Sequence, residues 1–292
     1  MSLKFIRSSS LDLLCTCPRK FQYIVLEELL GNEGSPSLNF GTAWHLIHHL
    51  IRQGVPAKVA WEKATEAFVN PSKGAKTKEK LLLGIEHYIS RYGKTLEPIN
   101  PAATEQEFTV KLPGISIPIQ GHVDMIGWWD ANEGRGREKW IVDHKTTSWL
   151  AGDWVQKYST SNQFKCYYKV GKLEHADLAG VLVDIFHVTM GVSTPRGMAG
   201  KTQEQIDGCH FYRLPLRFTD FAIQEWEQFV ASKLRDLDNY LSHNFFPMHA
   251  PTACGAYGSN CVFLNVCSSQ DPDIRATMKA TYEPERSNEE SE

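Results

Sequence analysis

The chain lacks several features that define large classes of protein. It contains no run of eighteen apolar residues, so we expect no transmembrane helix and no membrane partner. Its first ten residues hold no long apolar stretch, which argues against a signal peptide and predicts a cytoplasmic location. Neither an internal repeat nor a Walker phosphate-binding motif is present, so the sequence predicts no solenoid and no helicase motor of its own.

A strong excess of charge is also missing. The 292 residues carry a net charge of −3, and residues 281–292 alone contain five glutamates and one arginine. The rest of the chain is therefore nearly neutral, and any nucleic-acid groove must be a local patch of lysine and arginine. The length allows one large domain or two small ones. We expect a single domain over residues 1–275, followed by an acidic, disordered tail over residues 276–292.

The seven cysteines include no Cys-x2-Cys pair, and their odd number argues against a disulfide framework. Three of them, Cys254, Cys261 and Cys267, fall within fourteen residues of a segment rich in glycine and aromatics. Cys17, which precedes a proline, is the best candidate for a fourth ligand, with Cys15 in reserve. Four thiolates suit a [4Fe–4S] cluster. Zinc is the less favoured occupant because its usual paired knuckles are missing, and buried, unligated thiols are the remaining alternative.

Two strand-like segments bring acidic residues together with a lysine. In the apolar run that begins at Ile141, Asp143 and Lys145 are two positions apart and share a face, whereas His144 points away. Asp124 lies on an earlier strand-like run, and the polar, glycine-bearing connection between the runs favours a hairpin that places Asp124 beside Asp143. Two acids that hold Mg²⁺ or Mn²⁺, with a lysine that orients water, suit phosphodiester hydrolysis. The alternative is a solvated strand edge with an ordinary ion pair.

Two helical patterns add further candidates. Gly41 and His45 are four residues apart and lie on one face of a predicted helix, and histidine is a good ligand for Mn²⁺. Gln163 and Tyr167 have the same spacing, so an amide and a phenol could reach a phosphate backbone from one face. Each pattern, taken alone, is also compatible with an ordinary surface helix.

The order of predicted elements indicates an α/β core with an N-terminal helical cover. Residues 1–100, which include Cys17 and His45, form the cover, residues 101–218 form the catalytic sheet, and residues 219–275 form a long helix and the cysteine cluster. Within the sheet region, the pattern predicts one strand over Ile115 to Trp128, one helix over Trp154 to Val170, and a loop between the last two strands.

Six motifs occur in an order that is typical of one family. They are a Ser-rich helix with a Cys-Pro-x-Lys-Phe turn, Gly-x3-His, Gly-x2-Asp, Asp-x-Lys, Gln-x3-Tyr, and the three late cysteines. Over about residues 8–268 the sequence resembles the RecB-type branch of the PD-(D/E)xK nuclease superfamily. It is especially similar to members with a C-terminal iron–sulfur staple, namely the AddB nuclease domain and the CRISPR-associated adaptation exonucleases. The late cysteines depart from the family, which often has a shorter first gap.

The resemblance implies a restriction-endonuclease-like core, a mixed central sheet flanked by helices, and a C-terminal Cys-rich iron–sulfur segment. The implied activity is that of a Mg²⁺- or Mn²⁺-dependent deoxyribonuclease, most simply an exonuclease on linear or single-stranded DNA. The implied processes are recombination, repair, and CRISPR or phage DNA processing. The implied partners are recombination, helicase or CRISPR-adaptation proteins. The metal ligands that the resemblance implies are His45, Asp124, Asp143 and the backbone carbonyl of His144, and the catalytic residues are Asp124, Asp143 and Lys145; Glu105 would be an acid that supports these ligands or binds a second metal ion. The implied DNA-binding residues are Gln163 and Tyr167. The implied ligands of the iron–sulfur cluster are Cys17, Cys254, Cys261 and Cys267.

Two rival functions remain open to the sequence. The first is a catalytically silent DNA-binding or assembly subunit that keeps the nuclease fold, and it is disfavoured because His45, Asp124, Asp143 and Lys145 are all present. The second is a zinc-stabilised RNA-processing factor, which is disfavoured because the sequence matches no RNA-binding module.

Overall fold

A computed structural model describes residues 3–29, 36–93, 97–98, 106–130, 136–150, 152–249, 252–255 and 260–282. It has a mixed α/β architecture with two mixed sheets flanked by helices, which confirms the predicted fold class. Glu105 and most of the predicted acidic tail lie outside the described residues.

Most of the described helices are short. Their bounds are α1 (Leu11–Thr16), α2 (Pro18–Phe21), α3 (Pro36–Arg52), α4 (Ala57–Ala64), α5 (Lys78–Tyr92), α6 (Trp154–Ser159), α7 (Asn162–Glu174), α8 (Pro195–Met198), α9 (Gln203–Ile206), α10 (Asp220–His243), α11 (Leu264–Ser268) and α12 (Pro272–Ala280). A π-helical turn, Gln22–Leu26, follows α2, and 3₁₀ turns cover Ser8–Ser10 and Thr252–Cys254.

Within the described residues, the strands form one sheet of three strands and one of five. Their bounds are β1 (Ile6–Arg7), β2 (Glu97–Pro98), β3 (Gln106–Val110), β4 (Ile119–Val123), β5 (Met125–Trp129), β6 (Glu138–Thr147), β7 (Leu178–Val188) and β8 (Cys209–Leu216). The three-stranded sheet has the order β1-β4-β3 and the five-stranded sheet the order β2-β5-β6-β7-β8. Strands β5 and β6 are antiparallel, as the predicted hairpin requires, whereas β6 and β7 are parallel and are joined through α6 and α7.

An aromatic core lies between the five-stranded sheet and helices α3 and α5. Phe186 of β7 packs on Trp44 at a ring-centroid distance of 4.6 Å and stacks on Phe211 of β8 at 5.0 Å. Gly84 lets α5 approach this core closely, because a Cβ atom there would lie 2.4 Å from the Phe186 ring. The same helix face carries Tyr88 one turn later.

Several predicted element boundaries are wrong. The strand predicted over Ile115 to Trp128 breaks at Asp124 into β4 and β5, which pair in different sheets, and the helix predicted over Trp154 to Val170 breaks at Thr160 and Ser161. The predicted loop between the last two strands contains α8 and α9. Helix α12 begins where the Asp271 side chain accepts hydrogen bonds from two backbone N–H groups, and it continues to Ala280, past the predicted start of the tail.

The chain divides into two compact units. One comprises Met1–Gly34, Thr109–Gln120 and Gln224–Glu292, and the other Ser35–Phe108 and Gly121–Ile223. The first contains a small core of Tyr23, Leu29, Phe263 and Val266, and the second contains β5 to β8 with their helices. The single-domain boundaries stay a prediction. Among the described residues, no helix combines the length and the apolar character needed to cross a membrane.

Candidate active site

Strand β6 presents an acid and a lysine on one face, as its two-residue alternation predicts. The Nζ atom of Lys145 lies 2.8 Å from Oδ2 and 3.1 Å from Oδ1 of Asp143. Asp143 is buried, whereas 27% of the Lys145 side chain is exposed. The lysine therefore lies between a buried carboxylate and the solvent.

Asp124 lies in the bend between β4 and β5 and is fixed by two neighbours. Its Oδ2 atom accepts a hydrogen bond of 2.7 Å from the backbone N–H of His144, and it lies 3.1 Å from Nδ1 of His45. Helix α3 thus places His45 beside the Asp124 carboxylate, and the β5–β6 hairpin places the same carboxylate beside β6. His45, Asp124, Asp143 and Lys145 are assembled in one place.

The charges at this place shift one another's pKa values. Burial raises the pKa of Asp124, but the charge and hydrogen bond of His45 outweigh it and hold that pKa well below its usual range. The pKa of Asp143 is raised by burial and by the charge of Asp124, against the opposing effect of Lys145. Burial lowers the pKa of His45 and of Lys145, yet the two carboxylates outweigh it and raise both.

The donor set fits a hard divalent cation on chemical grounds. Asp124 and Asp143 are both buried, and the charge of Asp124 disfavours ionisation of Asp143, so a cation would relieve their repulsion. Across the described residues, however, no three side chains of His, Cys, Asp or Glu stand in a metal-ligating arrangement. Instead, His45 pairs with Asp124 and Lys145 pairs with Asp143.

The predicted DNA-binding pair lies on α7. Gln163 donates a hydrogen bond of 2.6 Å to the hydroxyl oxygen of Tyr167. Tyr167 is buried and packs edge-on against Phe108, so Gln163 is the more accessible member of the pair. Their assigned DNA-binding roles stay predictions.

Sequence reasoning missed Tyr158 on α6. Burial and the charge of Asp143 raise the pKa of its phenol, and the charge of Lys145 opposes them, so the phenol lies within electrostatic range of both Asp143 and Lys145. Tyr158 is half-buried and its ring lies 5.9 Å from that of Phe164. The only local signal was the run of serine and threonine at the end of α6, which indicates that this short helix ends before α7 begins.

Sequence reasoning also missed a buried polar network on the opposite face of β6. The ring of His144 stacks on that of His48 of α3 with a centroid distance of 4.1 Å. Arg52 of α3 donates a hydrogen bond to the Nε2 atom of His144. Arginine can only donate, so Nε2 accepts and Nδ1 carries the proton. That Nδ1 atom lies 3.4 Å from Oδ2 of Asp184, and burial followed by the charge of Arg52 lowers the pKa of His144.

Asp184 is the centre of this network. It is the β7 partner of His144 in the parallel register. The Tyr88 hydroxyl donates to its Oδ2 atom, and Nε of Arg213 lies 3.4 Å from its Oδ1 atom. Burial raises the pKa of Asp184, but the hydrogen bond from His144 and the charge of Arg213 outweigh it and lower that pKa. Helices α3 and α5 are thereby tied to the back of the strand that carries Asp143 and Lys145.

The four predicted cluster cysteines lie within one compact unit and within electrostatic range of one another. Burial raises the pKa of the Cys267 thiol, and Cys17, Cys261 and Cys254 raise it further. The backbone N–H of Cys261 donates a hydrogen bond of 2.7 Å to the carbonyl of Cys254. Cys15 differs, because burial and the charge of Asp12 raise its pKa to about 11.

This arrangement of acids, histidine and lysine is compatible with hydrolysis of phosphodiesters. The family model of the PD-(D/E)XK nuclease superfamily matches residues 8–268, and the chain belongs to that superfamily. Its members generally use divalent metals such as Mg²⁺, and their restriction-endonuclease-like fold agrees with the sheets described above.

Several solved structures, including the following two, are similar to the chain. One is a Eubacterium rectale protein named “putative exonuclease”, with 11% identity, 85% coverage of each chain and a TM-score of 0.49. The other is SSO0001, with 13% identity, 92% coverage of this chain, 87% coverage of that chain and a TM-score of 0.37. No curated protein sequence matches the chain. The family assignment rests on the superfamily match.

Proposed function

We propose that the chain is a Mg²⁺- or Mn²⁺-dependent deoxyribonuclease, and that it acts as an exonuclease on linear or single-stranded DNA. The observation that carries this proposal is the meeting of Asp124, Asp143, Lys145 and His45 at the end of the β5–β6 hairpin. Membership of a nuclease superfamily supports the reaction class. The RecB-type branch, and roles in recombination, repair, or phage or CRISPR processing with their partner proteins, are proposed from the sequence motifs alone.

The residues have complementary tasks in this proposal. Asp124, Asp143 and His45 would hold the divalent metal, which supplies Lewis-acid activation of water and stabilises charge on the phosphate. Lys145, held by Asp143 and partly exposed, orients the attacking water and faces the developing negative charge. Gln163 holds the DNA strand, and the buried Tyr167 hydroxyl fixes the amide of Gln163.

The backbone carbonyl of His144 completes the proposed metal ligands. In a strand, the N–H and C=O groups of one residue point to the same side. The N–H of His144 donates to Asp124, so its carbonyl faces the side on which Asp124 lies. The imidazole is committed to the opposite face of the sheet.

The test is degradation of end-labelled linear and circular DNA, single- and double-stranded, with Mn²⁺ or Mg²⁺. Asp143→Ala should lower the rate by on the order of 10²-fold or more, because it removes a proposed metal ligand and the carboxylate that holds Lys145. Asp177→Ala, which removes an exposed carboxylate paired with Lys139, is the matched control and should keep full activity. A thermal melt shows whether each variant folds.

Full activity of a folded Asp143→Ala protein would overturn the site assignment. A protein that binds DNA but degrades none of the four substrates with either metal would instead be a catalytically silent binding subunit. Degradation of linear but not circular DNA would support exonuclease action, and equal degradation of both would refute it.

We also propose that Cys17, Cys254, Cys261 and Cys267 bind a [4Fe–4S] cluster that joins the N- and C-terminal segments. Burial, followed by the charges of Cys17 and Cys261, raises the pKa of the Cys254 and Cys267 thiols, which supports this proposal because it indicates that the four sulfurs are neighbours. A bound metal centre would stabilise such thiols as thiolates. Protein prepared without oxygen should be brown and contain about four irons per chain. Colourless protein with stoichiometric zinc would refute the cluster.

A further inference from the structure

A series of aromatic rings runs along the sheet face that carries Asp143 and Lys145. It consists of Tyr158 and Trp154 of α6, Tyr212 of β8, His187 of β7 and His210 of β8, and we call it the ring path. Successive ring centroids lie 6.2, 5.8, 6.3 and 5.4 Å apart in that order.

Strand register places the ring path on the face that carries Asp143 and Lys145, the proposed catalytic pair. Lys145 pairs with Ile185, and Ile185 pairs with Tyr212. Paired residues of neighbouring strands project to the same side of a sheet, and so do residues two positions apart along a strand. His187 and His210, which pair with each other, therefore share the face of Lys145.

The ring path begins at the catalytic pair. The charges of Lys145 and Asp143 both act on the Tyr158 phenol. The Nζ atom of Lys145 also lies 5.6 Å from the ring centre of Phe164, a buried residue whose ring centre is 5.9 Å from that of Tyr158. The first ring of the path is thus a neighbour of the groups that would surround the scissile phosphate.

The rings keep part of their surface in water. Tyr212 is 39% exposed, and the other four rings are half-buried. Burial lowers the pKa of His187 and of His210, with Lys201, Lys80 and Glu204 also acting on His210. At neutral pH both imidazoles are therefore uncharged, and they extend the aromatic surface.

We propose that the ring path binds the bases of a single DNA strand next to the nucleotide that is cleaved. Aromatic side chains stack on unpaired bases with little dependence on sequence, whereas the base faces of a duplex are already stacked on one another. This inference rests on the proposed nuclease function and narrows its substrate to single strands, or to duplex ends that are opened near the site.

The test measures binding, so that it does not depend on cleavage. Fluorescence anisotropy with a labelled thymidine oligonucleotide of about 15 nucleotides, and with a duplex of equal length, is recorded for Asp143→Ala protein in EDTA. Introducing Tyr212→Ala into the Asp143→Ala protein should weaken its binding of the single strand by about 5-fold or more. Tyr212→Phe keeps the ring and should stay within about 2-fold. Phe221→Ala removes a phenyl ring that is 68% exposed and outside the path, and should have no effect.

An unchanged affinity in the Tyr212→Ala protein would overturn the proposal, and so would an equal loss for single strands and duplex. If Tyr212→Ala does not fold, tryptophan fluorescence decides the matter. Oligonucleotide binding should quench this fluorescence, and Trp154→Phe should remove part of the quenching at similar affinity; unchanged quenching would count against the ring path.

The two proposals can fail separately. Ring-dependent binding by a protein that hydrolyses no DNA would refute only the nuclease function. Hydrolysis combined with ring-independent binding would refute only the ring path.

Discussion

Replacing Gly84 with alanine tests how closely α5 packs on the sheet. In an exposed helix this change would stabilise the fold by about 1 kcal/mol, because alanine is the better helix former. In this structure the new methyl carbon would lie 2.4 and 2.5 Å from two ring carbons of Phe186. The structure therefore predicts destabilisation, which is opposite in sign to the helix-propensity expectation.

The size of the effect follows from how firmly the Phe186 ring is held. Trp44 and Phe211 contact it at centroid distances of 4.6 and 5.0 Å, so it has little room to move. Overpacking of a filled core costs about 1–3 kcal/mol, and we expect the upper part of that range. After the gain in helix propensity, the net loss in free energy of unfolding should be about 1–2 kcal/mol.

Urea unfolding at 25 °C, followed by circular dichroism, measures this loss. Ser90→Ala, on the exposed side of the same helix, is the matched control and should be neutral or stabilising by a few tenths of a kcal/mol. Combining Gly84→Ala with Phe186→Leu should give a loss smaller than the sum of the two single losses, since the smaller side chain makes room. A Gly84→Ala protein that is as stable as the parent would refute the close packing.

Two further changes test buried charges. Asp184→Asn should lower the free energy of unfolding by about 3–5 kcal/mol, as measured by urea unfolding, because it leaves Arg213 buried without its carboxylate. The control, Asp177→Asn at the surface, should lower it by less than about 1 kcal/mol. Equal losses of free energy in the two variants would contradict the buried network around Asp184. Burial lowers the pKa of Lys76 from its ordinary value of 10.5 to about 8. Between about pH 8 and pH 10.5 the unfolded chain therefore binds more protons than the folded chain, so the free energy of unfolding should rise with pH in this range. Lys76→Met should abolish this rise and stabilise the protein at pH 7 by roughly 1–3 kcal/mol, and an unchanged pH profile of unfolding would contradict the assignment.

Local alternation made the front of the site predictable. The two-residue period of a strand places Asp143 and Lys145 together, and the glycine-bearing connection predicts the β5–β6 hairpin, both of which the structure has. The bend at Asp124 was not predictable, because apolar residues continue on both sides of it and only pairing with different sheets separates β4 from β5.

The back of the site depends on long-range register and leaves no local signal. Asp184 faces His144 only because β7 pairs in parallel with β6 at one particular offset. Arg213 reaches Asp184 only through the antiparallel pairing of β8. The neighbours of a buried polar residue such as Asp184 are set by tertiary pairing, so its sequence context reads simply as part of an apolar strand.

The position of His144 has a consequence for engineering this protein. A β6 segment transplanted from another nuclease would import the acid and the lysine, but any other residue at position 144 would leave Arg52 and Asp184 without the imidazole that lies between them. The graft would carry the proposed catalytic acid and lysine, but it would lose the contacts that join β6 to α3 and β7. A transferable cassette would therefore have to include β7 and the end of α3 together with β6.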